Sequence, residues 1–144
     1  MPTPTVARQN LIGGIVTTLN AFKTANPSLL LAVTSARPES YPDLPCAFPD
    51  AISESIIHDS GVRNRTMQAS VLVVRRITNN AETMTAWHLL VDKLVDAFTA
   101  VPQFTTDTIW SRMTVTDEDA PFGDYDLSAV RFTFTDMTVM EGRV

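Results

Sequence analysis

The chain has 144 residues, 44% of them hydrophobic and 19% charged, with a formal net charge of −5. That length makes one ordinary domain with room for a core, and that balance excludes a disordered chain. No apolar run reaches the roughly 20 residues that span a bilayer, an acidic chain without Lys/Arg clusters is a poor phosphate binder, and one cysteine, Cys46, permits neither an internal disulfide nor a cysteine zinc cluster.

The start, MPTPTVARQN, lacks a charged segment followed by an apolar one, so no secretory signal is expected and the chain is read as made in the cytoplasm. A first helix is predicted from about Thr5 to Ala25. Leu11, Ile12, Ile15, Val16, Leu19 and Phe22 form one apolar stripe, and Asn26-Pro27 ends it. Gly13 and Gly14 fall inside the stripe. They are read as a weak point or kink, with close approach of a second backbone as the alternative.

Leu29 to Val33 reads as a short strand. Pro38, Pro42, Pro45 and Pro49 then exclude helix and leave a proline-rich arm around 36–50, lying along the sheet as an edge strand or arm. Ala51 to Ile57 continues as strand, and His58-Asp59-Ser60-Gly61 signals a turn. Val62 to Ile77 is the clearest strand. It starts alternating and becomes fully apolar at Val71-Leu72-Val73-Val74, which implies one covered face at first and two later. Its length suggests a hairpin projecting past the sheet.

A second helix starts at Asn79 as N-cap, with Glu82 three residues on, and stops at Pro102. Its stripe is Met84, Trp87, Val91, Leu94, Phe98 and Val101. A strand follows with Ile109, Ser111, Met113 and Val115 on one face and Trp110, Arg112, Thr114 and Thr116 on the other. An acidic loop, Asp117 to Asp124, leads to a last strand over Asp126–Asp136. There Val130, Phe132 and Phe134 oppose Ala129, Arg131 and Thr133, with Met137 and Val139 extending the pattern. Consecutive C-terminal strands favour an α+β fold: a mostly antiparallel sheet with two helices packed on one face, as one domain over 1–144.

Catalytic material is scarce. Ser55, His58 and Asp59 are close in sequence, and Cys46 with His58 is a conceivable thiol–imidazole pair, but triads are defined by geometry. No serine carries a nucleophile-elbow pattern, and there is no phosphate-binding glycine loop or dinucleotide fingerprint. The acidic loop invites a calcium reading, yet an EF-hand count from Asp117 puts Pro121 and Phe122 where a ligand and the glycine belong. No catalytic residue, metal or cofactor is expected. Cys46 is read as a buried small hydrophobe.

The N-terminal helix, the arm YPDLPCAFPD, the segment SGVRNRTMQASVLVVRR, the helix LLVDKLVDAF and a strand pair ending in EGR together resemble the tail terminator (tail completion) proteins of long-tailed, siphovirus-type phages. The resemblance covers most of the chain. It implies a homo-oligomeric ring, usually a hexamer, in the neck of the virion and assembled in the host cytoplasm. The ring caps the tail tube, stops its polymerisation and meets the tail tube protein on one side and the head–tail connector on the other. Genomic DNA passes through the lumen unread, and no membrane is involved. Arg63, Arg65, Arg75 and Arg76 are then candidates for ion pairs between subunits or with the tube. Asp117, Glu118, Asp119 and Asp124 are candidates for the lumen or an axial end, where negative charge repels phosphate. The alternatives are another neck connector or minor tail protein, or a small ligand-binding or cofactor-free enzyme domain on a ferredoxin-like sheet.

Overall fold

A computed structural model describes residues 7–41, 43–59, 62–77, 81–105 and 108–139. Helix α1 spans Ala7–Ala25 and α2 spans Ala81–Ala100. The strands are β1 Ala32–Val33, β2 Cys46–Asp59, β3 Val62–Arg76, β4 Gln103–Thr105, β5 Thr108–Ile109, β6 Arg112–Asp119 and β7 Leu127–Val139. They form one sheet in the order β1-β2-β3-β7-β5-β4, with β6 also paired to β7. Only β1 and β2 run parallel. The fold is α+β, with a mostly antiparallel sheet.

Both helices lie on one face. From α1, Leu11, Ile15, Leu19 and Phe22 are buried; from α2, Trp87, Leu90, Leu94 and Phe98. They meet Met67, Ala69, Val71 and Val73 of β3 and Val130, Phe132 and Phe134 of β7. Phe98 is the hub: its ring centroid is 4.9 Å from that of Phe134, 5.4 Å from Phe132 and 6.1 Å from Phe104. The α2 stripe is shifted from the expected one. Leu90 is buried where Val91 is only half-buried, and Val101 lies past the helix end, exposed. The Asn79 cap lies outside the described residues.

Gly14 is not a kink. A Cβ there would stand 2.1 Å from the Phe104 carbonyl oxygen, so the missing side chain admits the backbone of β4 against α1. Gly13 next to it has open space. The alternative of close approach is therefore correct for one glycine of the pair.

The opposite face holds a second, smaller apolar cluster of Ala32, Cys46, Phe48, Leu72, Val74, Leu127 and Ala129, with Tyr41 and Leu44 packed against it. This explains the continuous apolar run in β3: its last turns of pleat are covered on both sides. The proline-rich arm is shorter than expected and differently placed. Residues 46–50 already belong to β2, and the preceding segment lies over the back of the sheet. Phe122 stacks on Phe48 at 6.4 Å, and the Arg37 guanidinium caps Phe122 at 3.7 Å.

Other sequence expectations are corrected by register. Asp117, Glu118 and Asp119 are strand residues of β6, paired with Val130, Ala129 and Ser128, so the true connection to β7 is only Ala120–Asp126. The strand expected through 109–116 breaks at Trp110-Ser111. Trp110 turns to the core, 5.4 Å from Phe134, and so does Met113, three residues on. Asp136 adopts a left-handed φ of 57°, which shifts the phase of β7 and brings Met137 into the core. The β2–β3 hairpin barely overhangs, because β3 is paired with β7 from Arg65 onward. Ser60 and Gly61 of the expected turn lie outside the described residues.

Candidate functional site

The catalytic candidates do not converge. Ser55 and His58 are exposed and stand three positions apart on β2, hence on opposite faces of the sheet. Cys46 and His58 are twelve positions apart on the same strand, on the order of 40 Å at about 3.3 Å per residue. Cys46 is fully buried, and burial pushes its thiol pKa up, away from the reactive thiolate. Among the described residues no group of three or more His, Cys, Asp or Glu is placed to hold a metal ion.

The four arginine candidates separate. Arg65 is 5% exposed and held by Glu54 at 3.3 Å; Glu54 also takes Arg8 of α1 at 3.3 Å. That pairing pins the start of α1 to the hairpin, and Arg65 is too buried to reach a second copy. Arg75 points to the helix side and lies over Trp87, 4.7 Å from the ring centroid. Arg76, next along the strand, is exposed. Arg63 pairs in register with His58, and its side chain lies outside the described ones.

The acidic candidates do not line one surface either. Asp117 shares the helix side with its partner Val130, and Glu118 points to the other side with Ala129. Asp124 is exposed in the connection.

Glu118 instead enters a cluster that the sequence did not reveal. Arg131 of β7 donates from Nε to Glu118 Oε1 at 2.5 Å and from Nη1 to Asp50 Oδ2 at 2.6 Å and Ser70 Oγ at 2.8 Å. The hydrogen bond to Glu118 is the main cause that raises the guanidinium pKa further. The cluster has a backbone origin. β2 breaks register between Pro49 and Ile52, which frees the Ala51 N–H from the ladder; Ser70 Oγ accepts it at 3.3 Å. Asp50, thrown out by the same irregularity, meets Arg131. Proline at a bulge on an outer strand is where proline is tolerated.

Around this cluster the helix-free face of the sheet is polar. Ser53 and Ser55 of β2, Thr66 and Gln68 of β3, Thr133 and Thr135 of β7, and Thr114 and Thr116 of β6 share it. The two outer strands bounding this face, β2 beyond Ala47 and β6, have no further strand beside them among the described residues. Ile57 on β2 is 63% exposed.

At the other end of the sheet lies a cleft of about 610 Å³. Leu29, Leu44, Pro45, Trp87 and Leu90 line its apolar part, and Arg75, Arg76, Asp43, Asp124 and Asp126 its polar part.

Compared with known proteins, the chain matches no protein-family model and no curated protein. Among the described residues no helix is long and apolar enough to cross a membrane.

Proposed function

We propose that the chain is a structural ring subunit of the tail-terminator type. The ring caps a phage tail tube, ends its polymerisation and joins it to the head connector, with DNA passing through the lumen. One observation carries the reading. β2, β3, β7 and β6 form a four-stranded antiparallel unit whose outer strands, β2 beyond Ala47 and β6, are open among the described residues and run in opposite directions. Setting β6 of one copy beside β2 of the next continues the antiparallel alternation. Such a head-to-tail contact closes into a ring when the rotation per copy allows.

Six copies, the number the resemblance implies, supply about 24 strands spaced about 4.8 Å apart, a circumference of roughly 115 Å and a diameter of roughly 37 Å before tilt. In that ring the hydroxyl-rich face lines the lumen. Its central charges are one guanidinium, Arg131, and two carboxylates, Asp50 and Glu118, so negative charge is in excess and passing phosphates meet no net attraction. Asp117, Asp119 and Asp124 then sit at one axial end. The helices face outward, and the virion neck is the location this reading assigns.

The test is the mass of the full chain in solution, with negative-stain images alone and with tail tubes. Rings with a central pore, alone or on tube ends, are expected. Ile57→Lys on the open edge of β2 is expected to abolish the rings and leave the circular dichroism unchanged. A monomer under both conditions would falsify the reading.

The ligand-binding alternative has one observation in its favour, the cleft, whose size lies in the range of small-molecule pockets. A monomer that binds a small molecule there, with no affinity for tubes, decides for it.

A further inference from the structure

Arg75 is the group in the cleft whose chemistry is unfinished. Its Nε donates to Ser128 Oγ at 2.9 Å, and its Nη1 lies 3.2 Å from the Met84 sulfur. A thioether is a weak acceptor. The other side of the guanidinium faces the indole of Trp87. Among the described residues no carboxylate stands within ion-pair distance of it. Burial lowers its pKa, opposed only by the field of Asp117. Arg131 in the same sheet shows what a partly buried guanidinium takes when carboxylates are within reach: two of them and a hydroxyl.

The rim carboxylates Asp43, Asp124 and Asp126 are all exposed and keep their water. Their field in the cleft is screened. Arg75 has given up part of its hydration, so a carboxylate arriving there makes a charge-assisted, two-pronged contact in a medium less polar than water. Arg76 also lines the cleft and adds positive charge. The same cleft has an apolar part, lined by Leu29, Leu44, Pro45 and Leu90.

We infer that this cleft is a docking site for an acidic peptide segment of another protein, whose carboxylate pairs with Arg75 while a neighbouring apolar side chain fills the pocket beside Trp87. The inference goes beyond the ring reading and does not depend on it. The cleft lies at the opposite end of the sheet from the exposed Ile57.

Trp87 supplies the readout. The chain has two tryptophans, so Trp110→Phe leaves Trp87 as sole reporter. The probes are acetyl-GLELG-amide, its glutamine counterpart acetyl-GLQLG-amide and its lysine counterpart acetyl-GLKLG-amide, titrated into the full-length chain. The glutamate peptide is expected to change Trp87 emission with saturation, and the glutamine peptide to bind at least tenfold more weakly. Arg75→Gln removes that difference, and Arg75→Lys restores part of it. Comparing the peptides on the Trp110→Phe chain itself keeps the test valid even if an Arg75 variant misfolds. Equal binding of the glutamate and glutamine peptides, preference for the lysine peptide, or no titration up to about 10 mM, which corresponds to under about 3 kcal/mol of binding, each overturns the inference. None of these outcomes bears on whether rings form.

Discussion

Arg131 and Arg75 stand on neighbouring strands of one sheet, and each contacts a serine hydroxyl on the other's strand, Ser70 for Arg131 and the directly opposite Ser128 for Arg75. Arg131 has a carboxylate on either side, and its surroundings hold the positive charge more firmly. Arg75 has an aromatic face, a hydroxyl and a sulfur, and its surroundings hold the charge less firmly. The difference teaches how two guanidiniums of one sheet are satisfied in different ways. At the middle of the polar face the charge is spent internally and ties four strands together, β7 to β6, β2 and β3. At the cleft end it has no carboxylate within ion-pair distance among the described residues.

The contrast can be broken most forcefully at Arg131. Arg131→Met leaves Asp50 and Glu118 without their cation at sites 18% and 30% exposed. Losing one partner of a fully buried pair costs 3–5 kcal/mol and of an exposed pair at most about 1, so a loss of about 2 kcal/mol is expected in urea unfolding. No change in the urea midpoint would show that the cluster is decoration. Ser70→Ala comes next, at about 1 kcal/mol, because it strips an acceptor from both Arg131 and the Ala51 N–H. Here the expected signature is faster hydrogen exchange at Ala51.

Cys46, on the arm-covered face, gives a third handle. Its folded pKa is raised, so the thiol stays neutral in the native state after the unfolded chain has begun to ionise near pH 8.5. Its contribution is fully present below that pH and is lost as pH rises through the higher folded value. Between about pH 7.5 and 9.5 the native chain is expected to lose more stability than Cys46→Ala does, read as a larger fall in its urea midpoint. The smallest effect is at Arg75. Arg75→Met gives up a cation–π contact of about 0.5–1 kcal/mol but also removes a desolvated charge, so stability is expected to move by less than about 0.5 kcal/mol. A loss as large as that at Arg131 would mean that Arg75 is structural and the two arginines are alike after all.

The same contrast measures what the sequence made legible. Val71–Val74 predicted a doubly covered strand, and the structure covers it, because a run of apolar residues reports directly on burial. The helix stripes were readable for the same reason, to within one position at Leu90. Periodicity failed where the backbone changes phase. The break at Trp110-Ser111 and the left-handed Asp136 each move a side chain to the other face, and no residue type there announces it. The length of the acidic loop was misread because Asp117–Asp119 are poor strand formers that β7 recruits by pairing. The Arg131 cluster was invisible because its members lie 13, 61 and 81 positions from Arg131. Arg65 and Arg75 look alike in the sequence as interface candidates on the long strand, yet the structure separates them: Arg65 is buried against Glu54 and Arg75 lies over Trp87.

Gly14 offers a way to find chains of this kind. The Phe104 carbonyl seats against α1 only where a side chain is missing, so this rotation of the first helix against the strand that follows the second helix requires glycine at position 14. That couples a small residue in helix one to a short strand some 90 positions later. A search for distant kin can therefore weight this lock: buried apolar residues at the spacing of Leu11, Ile15 and Leu19, and a residue no larger than glycine just before the middle one. Such a criterion tracks geometry, and geometry outlasts the short phrases by which sequences are usually compared.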